Sequence, residues 1–124
     1  MLALSRQLYG GLCLTSMVKC ADNCGIVKAR ISAVGRQKKG NGAMGQRCAC
    51  HVRDKNEAYW GPRKVKGLIV RRRAPSMRKD GSVISFDDNA IVIIKKNKCL
   101  GTKIKGPVGY ETRHTCKSLA RWIF

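Results

Sequence analysis

This sequence predicts an all-β-dominated fold: a small closed β-barrel with a basic hairpin arm and a short C-terminal helical segment. Three observations predict it. Polar and apolar residues alternate with period two over several short runs, as in strands that bury one face. Asp80-Gly81 lies between two extended runs, and Gly accepts the positive φ of a hairpin turn without a Cβ clash. Turn-forming clusters recur at spacings short enough for antiparallel hairpins and too short for crossover helices, and closing such strands on themselves removes exposed edges.

The elements follow in order. Residues 14–20 form a first strand, ended by the turn composition Ala21-Asp22-Asn23-Cys24-Gly25. Over Ile26–Val34, Ile26, Lys28, Arg30 and Ser32 face one way and Val27, Ala29, Ile31 and Ala33 the other. Residues 35–45 (GRQKKGNGAMG) read as a flexible basic loop. Arg47–Arg53 alternates with Cys48, Cys50 and Val52 inward and Arg47, Ala49, His51 and Arg53 outward. Tyr59-Trp60-Gly61-Pro62 is a turn that offers one exposed aromatic pair. The apolar Leu68-Ile69-Val70 leads into Arg71-Arg72-Arg73, an Ala-Pro-Ser break and the Arg78-Lys79-Asp80-Gly81 tip. Phe86 is expected in the core, Asp87-Asp88-Asn89 in a second turn, and Ala90–Ile94 in a buried strand. A Lys95–Lys98 turn and a strand-like Leu100–Val108 come next. A helix is expected from Thr115, with Leu119, Trp122 and Ile123 on one face.

With 124 residues the chain is long enough for one modest core. Residues 1–15 read as an N-terminal extension and 16–124 as a single domain, with a tail from about 109. The first sixteen residues lack acids and carry Arg6 and several hydroxyls, a composition that suits a mitochondrial targeting segment. The formal charge of +19, from 26 Lys+Arg against 7 Asp+Glu, costs self-repulsion in an isolated fold and calls for a polyanionic partner. Between Arg63 and Lys79 there are eight bases and no acid. No amphipathic basic helix and no long apolar run points to a membrane. An odd count of seven cysteines without a secretory signal predicts reduced thiols in a reducing compartment.

No acid–base pair or nucleophile motif is present, and GRQKKGNG lacks the P-loop pattern, so an enzyme is not expected. Cys20, Cys24, Cys48, Cys50 and His51 have poor zinc spacing, so no metal and no cofactor is expected. Sparse aromatics favour recognition of structured RNA through phosphates and 2′-hydroxyls over base stacking. Arg71, Arg72, Arg73, Arg78 and Lys79 are the first candidates for phosphate contacts. Lys38, Lys39, Arg63, Lys64 and Lys66 come next, then Lys103 and Lys105.

Four segments carry a resemblance: VKCADNCG (18–25), KGLIVR (66–71), RKDGSVISFDDNAIVII (78–94) and GTKIKGPV (101–108). Their order and separations resemble the universal large-subunit ribosomal protein L-fourteen family over about residues 16–108. The resemblance implies a five-stranded β-barrel with a protruding β-ribbon and small C-terminal helices. It also implies large-subunit ribosomal RNA and neighbouring ribosomal proteins as partners, and a place near the intersubunit face. There the family bridges to small-subunit RNA and docks a ribosome silencing factor. The chain departs from the pattern at Gln46, where an acid is usual, and in a shorter region after Val108 that supplies the bridge and factor contacts in relatives. The extension and the cysteines resemble an organellar form, so the expected place is the mitochondrial matrix, with a plastid or bacterial cytoplasm as alternatives. A free-standing RNA-binding barrel acting as translation factor or RNA chaperone is the alternative function.

Overall fold

The computed structural model describes Leu12 and residues 16–34, 42–112 and 114–124. Five strands form the barrel: β1 (Met17–Cys20), β2 (Ile26–Val34), β3 (Arg47–Lys55), β4 (Lys64–Arg71) and, after two short strands, β7 (Ala90–Lys95). β1-β2-β3-β4-β7 pair antiparallel in that order, and β1 closes the ring by running parallel to β7, with Lys19 opposite Ala90 and Cys20 opposite Ile91. The expected five-stranded closed barrel is therefore present, and it is mixed. β5 (Ser76–Met77) and β6 (Val83–Ile84) form the basic hairpin, and β8 (Lys98–Cys99) extends β7 through a tight turn. That turn holds Lys96 and Asn97 at φ 51° and 64°, as a two-residue hairpin with twist-matched strands requires.

Two apolar clusters share the central strands. Inside the barrel lie Val18, Ala29, Ile31, Cys48, Cys50, Val52, Ile69, Ile91 and Ile93. On the outer face of the same strands lie Leu68, Val70, Ala90, Val92 and Ile94, covered by Ile104, Val108 and Cys116. β4 and β7 are thus buried on both faces, which is why they read as continuous apolar runs. The cover is β9 (Ile104–Val108), one helical turn α1 (His114–Lys117) and β10 (Ala120–Ile123), which runs parallel to β9.

Several expectations need correction. The helix from Thr115 shrinks to the single turn α1, and Trp122 and Ile123 lie in β10 instead, opposite Pro107 and Val108. In β2 the buried residues are Ile26, Ala29, Ile31 and Val34, because irregularities between Ile26 and Ala29 and again between Ile31 and Ala33 reset the alternation. Phe86 is half-buried and belongs to neither cluster. Cys99 and Cys116 form a disulfide, with Cα atoms 5.9 Å apart, that ties β8 to α1. Among the described residues no helix is long and apolar enough to cross a membrane.

Candidate nucleic-acid interface

The outward faces of β2, β3 and the start of β4 carry a basic patch. Pairing sets Arg30 opposite His51 and His51 opposite Lys64, so three basic side chains stand in a row across three strands. Ser32, Arg53 and Arg63 complete a concavity of about 570 Å³, and no acid lines it. Arg30 and Lys64 flank His51 with no acid among the residues that line the concavity, so an anion lying along the row is attracted by both cations.

Lys64 also borders a second concavity of about 590 Å³, whose lining includes Lys66, Lys95, Lys96 and Trp60. Tyr59 is buried, contrary to the expectation of an exposed pair, and its hydroxyl donates to the Pro62 carbonyl at 2.7 Å. That bond fixes the turn and leaves the Trp60 indole 94% exposed. An exposed indole in a concavity that lysines also line can stack a base while the lysines meet phosphates.

The arginine triplet divides into three roles. Arg71 is 8% exposed; its Nε lies 2.9 Å from Asp88, and Nη1 donates to the carbonyls of Lys105 at 2.8 Å and Pro107 at 3.2 Å. Gly106 stands between those two carbonyls at φ 83°, and a Cβ there would collide with Nη1. Arg72 donates to the carbonyls of Ala74, Gly42 and Pro75 at 3.3, 2.9 and 3.0 Å, and burial lowers its pKa from the ordinary arginine value. Arg73 is exposed, and its side chain makes no hydrogen bond or ion pair among the described residues. Asn89 accepts the Arg73 backbone N–H at 2.9 Å, so the Asp87-Asp88-Asn89 turn aims that guanidinium outward.

The hairpin tip is built by Asp80, which accepts from the Ser82 N–H at 3.0 Å and hydroxyl at 2.6 Å. These bonds hold its carboxyl below the usual carboxylate range. Gly81 takes φ 91° with open space around it, and Lys79 is exposed beside it. Arg78 is turned back onto the body, donating to Glu111 at 2.8 Å and to the main-chain oxygen of Phe124, with its guanidinium 4.0 Å over the Tyr110 ring. Lys103 and Lys105 are exposed on either side of buried Ile104. Lys38 and Lys39 lie outside the described residues.

The structure therefore leaves Arg63, Lys64, Lys66, Arg73, Lys79, Lys103 and Lys105 open to a ligand and occupies the guanidinium groups of Arg71, Arg72 and Arg78 internally. Sequence reasoning did not select Arg30, His51, Arg53, Lys95 or Lys96. The signal for His51 and Arg53 was their outward parity in β3.

The signature segments also meet in space. Asn23 accepts from the N–H groups of Thr102 and Lys103 at 2.8 and 3.3 Å, and the Lys105 N–H reaches the Ala21 carbonyl at 2.7 Å. The family model "Ribosomal protein L14p/L23e" matches residues 11–122. The chain belongs to the ribosomal protein L14p/L23e family. It is 40% identical over 104 residues to the large ribosomal subunit protein uL14 of Petrotoga mobilis, covering 81% of this chain and 85% of that one. It is 28% identical to the uL14 of Natronomonas pharaonis and 29% identical to that of Haloarcula marismortui, each over 95% of this chain and 93% of the relative. As a member of the L14p/L23e family, the chain is a ribosomal, non-enzymatic protein.

Proposed function

We propose that this chain is a structural constituent of the large ribosomal subunit that binds large-subunit ribosomal RNA through its basic surface and hairpin, in mitochondrial translation. The observation that carries the RNA reading is the acid-free row Arg30–His51–Lys64, continued through Lys66, Lys95 and Lys96. The barrel fixes these cations in place, so RNA segments that repel one another are brought together on one rigid body. Arg63, Lys64, Lys66, Arg73, Lys79, Lys103 and Lys105 meet phosphates, and Lys38 and Lys39 add to them. Arg71, Arg72 and Arg78 act one step back by shaping the arm and its base. Neighbouring ribosomal proteins flank the barrel, and a place near the intersubunit face brings it to small-subunit RNA across a bridge and to a ribosome silencing factor.

The acid-free composition of the first sixteen residues supports the mitochondrial part. A tagged chain should resist protease in intact mitochondria and comigrate with the large subunit in a high-salt gradient. Release into the soluble pool would favour the translation-factor or chaperone reading, and recovery in the cytosol would remove the mitochondrial one.

A further inference from the structure

Cys20, Asp22 and Cys24 form a cluster that shares Cys24 with the wall of the Trp60 concavity and lies apart from the concavity at Arg30. The two Sγ atoms lie 3.8 Å apart, and each thiol donates to the same oxygen, Asp22 Oδ1, at 2.8 Å from Cys20 and 2.9 Å from Cys24. Asp22 is 4% exposed, and its Oδ2 accepts the Ile93 N–H at 3.2 Å. The carboxylate is thus fixed to barrel strand β7 while its other oxygen points at two sulfurs. All three donor atoms lie within 4.8 Å of one another.

These distances suit a soft cation. With metal–sulfur bonds of about 2.3 Å and a metal–oxygen bond of about 2.0 Å, tetrahedral geometry places two sulfurs roughly 3.8 Å apart and each about 3.5 Å from the oxygen. The sulfurs already have that separation, and the oxygen needs to recede by about 0.8 Å. We propose that Cys20, Asp22 and Cys24 bind one thiophilic divalent cation of the zinc class, with water in the fourth position. On binding, two S–H bonds break and two protons leave to solvent, while two sulfur–metal bonds and one oxygen–metal bond form. The formal charge is −1 in both states, from one carboxylate beside two thiols or from two thiolates and a carboxylate around a dication. Exchange therefore adds no net charge to a buried site. Cys20 and Cys24 are half-buried, and Cys20 and Asp22 border a surface concavity of about 370 Å³ that Lys19, Lys28 and Lys105 also line. The second thiol pair, Cys48 and Cys50, has sulfurs 3.4 Å apart but is buried inside the barrel, and no acid joins it in a cluster of three donors among the described residues. It serves as an internal control.

The test titrates the full, metal-free chain with Cd²⁺ under anaerobic conditions and follows the near-ultraviolet thiolate-to-metal band. One equivalent should saturate the band. Cys20→Ser and Cys24→Ser should each weaken binding at least tenfold, and Cys48→Ser should not change it. Serine keeps an O–H donor toward Asp22, and circular dichroism checks the fold of each variant. ¹¹³Cd resonance on the unaltered chain reads the number of sulfur ligands without any substitution, and two are expected. Absence of the band, its survival in a Cys20→Ser/Cys24→Ser double variant, or its loss in Cys48→Ser would each overturn the proposal.

Discussion

The Arg72 guanidinium holds the carbonyls of Gly42, Ala74 and Pro75, whereas Arg73, one residue on, makes no side-chain bond among the described residues. Neighbouring alanine substitutions should therefore fail differently. Arg72→Ala leaves partly buried carbonyls without their charged donor and should cost about 2–3 kcal/mol, read as a lower midpoint in urea. Arg73→Ala should leave that midpoint unchanged while weakening RNA binding and reducing the salt slope by about one. Arg71→Ala removes the ion pair to Asp88 as well as two carbonyl bonds. With Asp88 partly open to water, the loss should be about 2–3 kcal/mol, below the value for a fully buried pair. Nothing in the run Arg71-Arg72-Arg73 distinguishes these roles, because each partner lies far along the chain or depends on how the backbone turns after Val70.

β3 and the Asp-Gly hairpin were readable from sequence because local rules decide them: strict alternation in one, a glycine at positive φ in the other. β2 was half readable, since bulges leave no compositional mark in a run of small and β-branched residues. β10 was not readable, because Ala120–Ile123 becomes a strand through parallel pairing with β9, a partner its own sequence cannot announce. The row Arg30–His51–Lys64 needs the register of three strands, which bulges alter. At the hairpin, the folded state holds Asp80 below its ordinary pKa, so its turn is fully supported above the usual carboxylate range and loses that support as pH falls through the depressed value. The Ser82 amide resonance should shift in that acid window, and Asp80→Asn should abolish the shift.

For the whole molecule, the surplus of cations and the closed barrel act together, one supplying affinity and the other fixing where the charges stand. If six to ten phosphates are neutralised, affinity should fall by about three to five decades between 50 and 200 mM salt, measured by filter binding; a flat titration would contradict the electrostatic mechanism. Ile93, 1% exposed inside the barrel, tests the scaffold independently: Ile93→Ala should cost about 2–5 kcal/mol in chemical denaturation. The parallel closure of β1 on β7 has a consequence for biogenesis. Met17–Cys20 emerges from a translating ribosome long before Ala90–Lys95 does, so the nascent chain carries an unclosed meander for most of its synthesis. Its raw edge and inward thiols stay uncovered through that interval, and a truncated chain ending before residue 90 should need a chaperone to remain in solution.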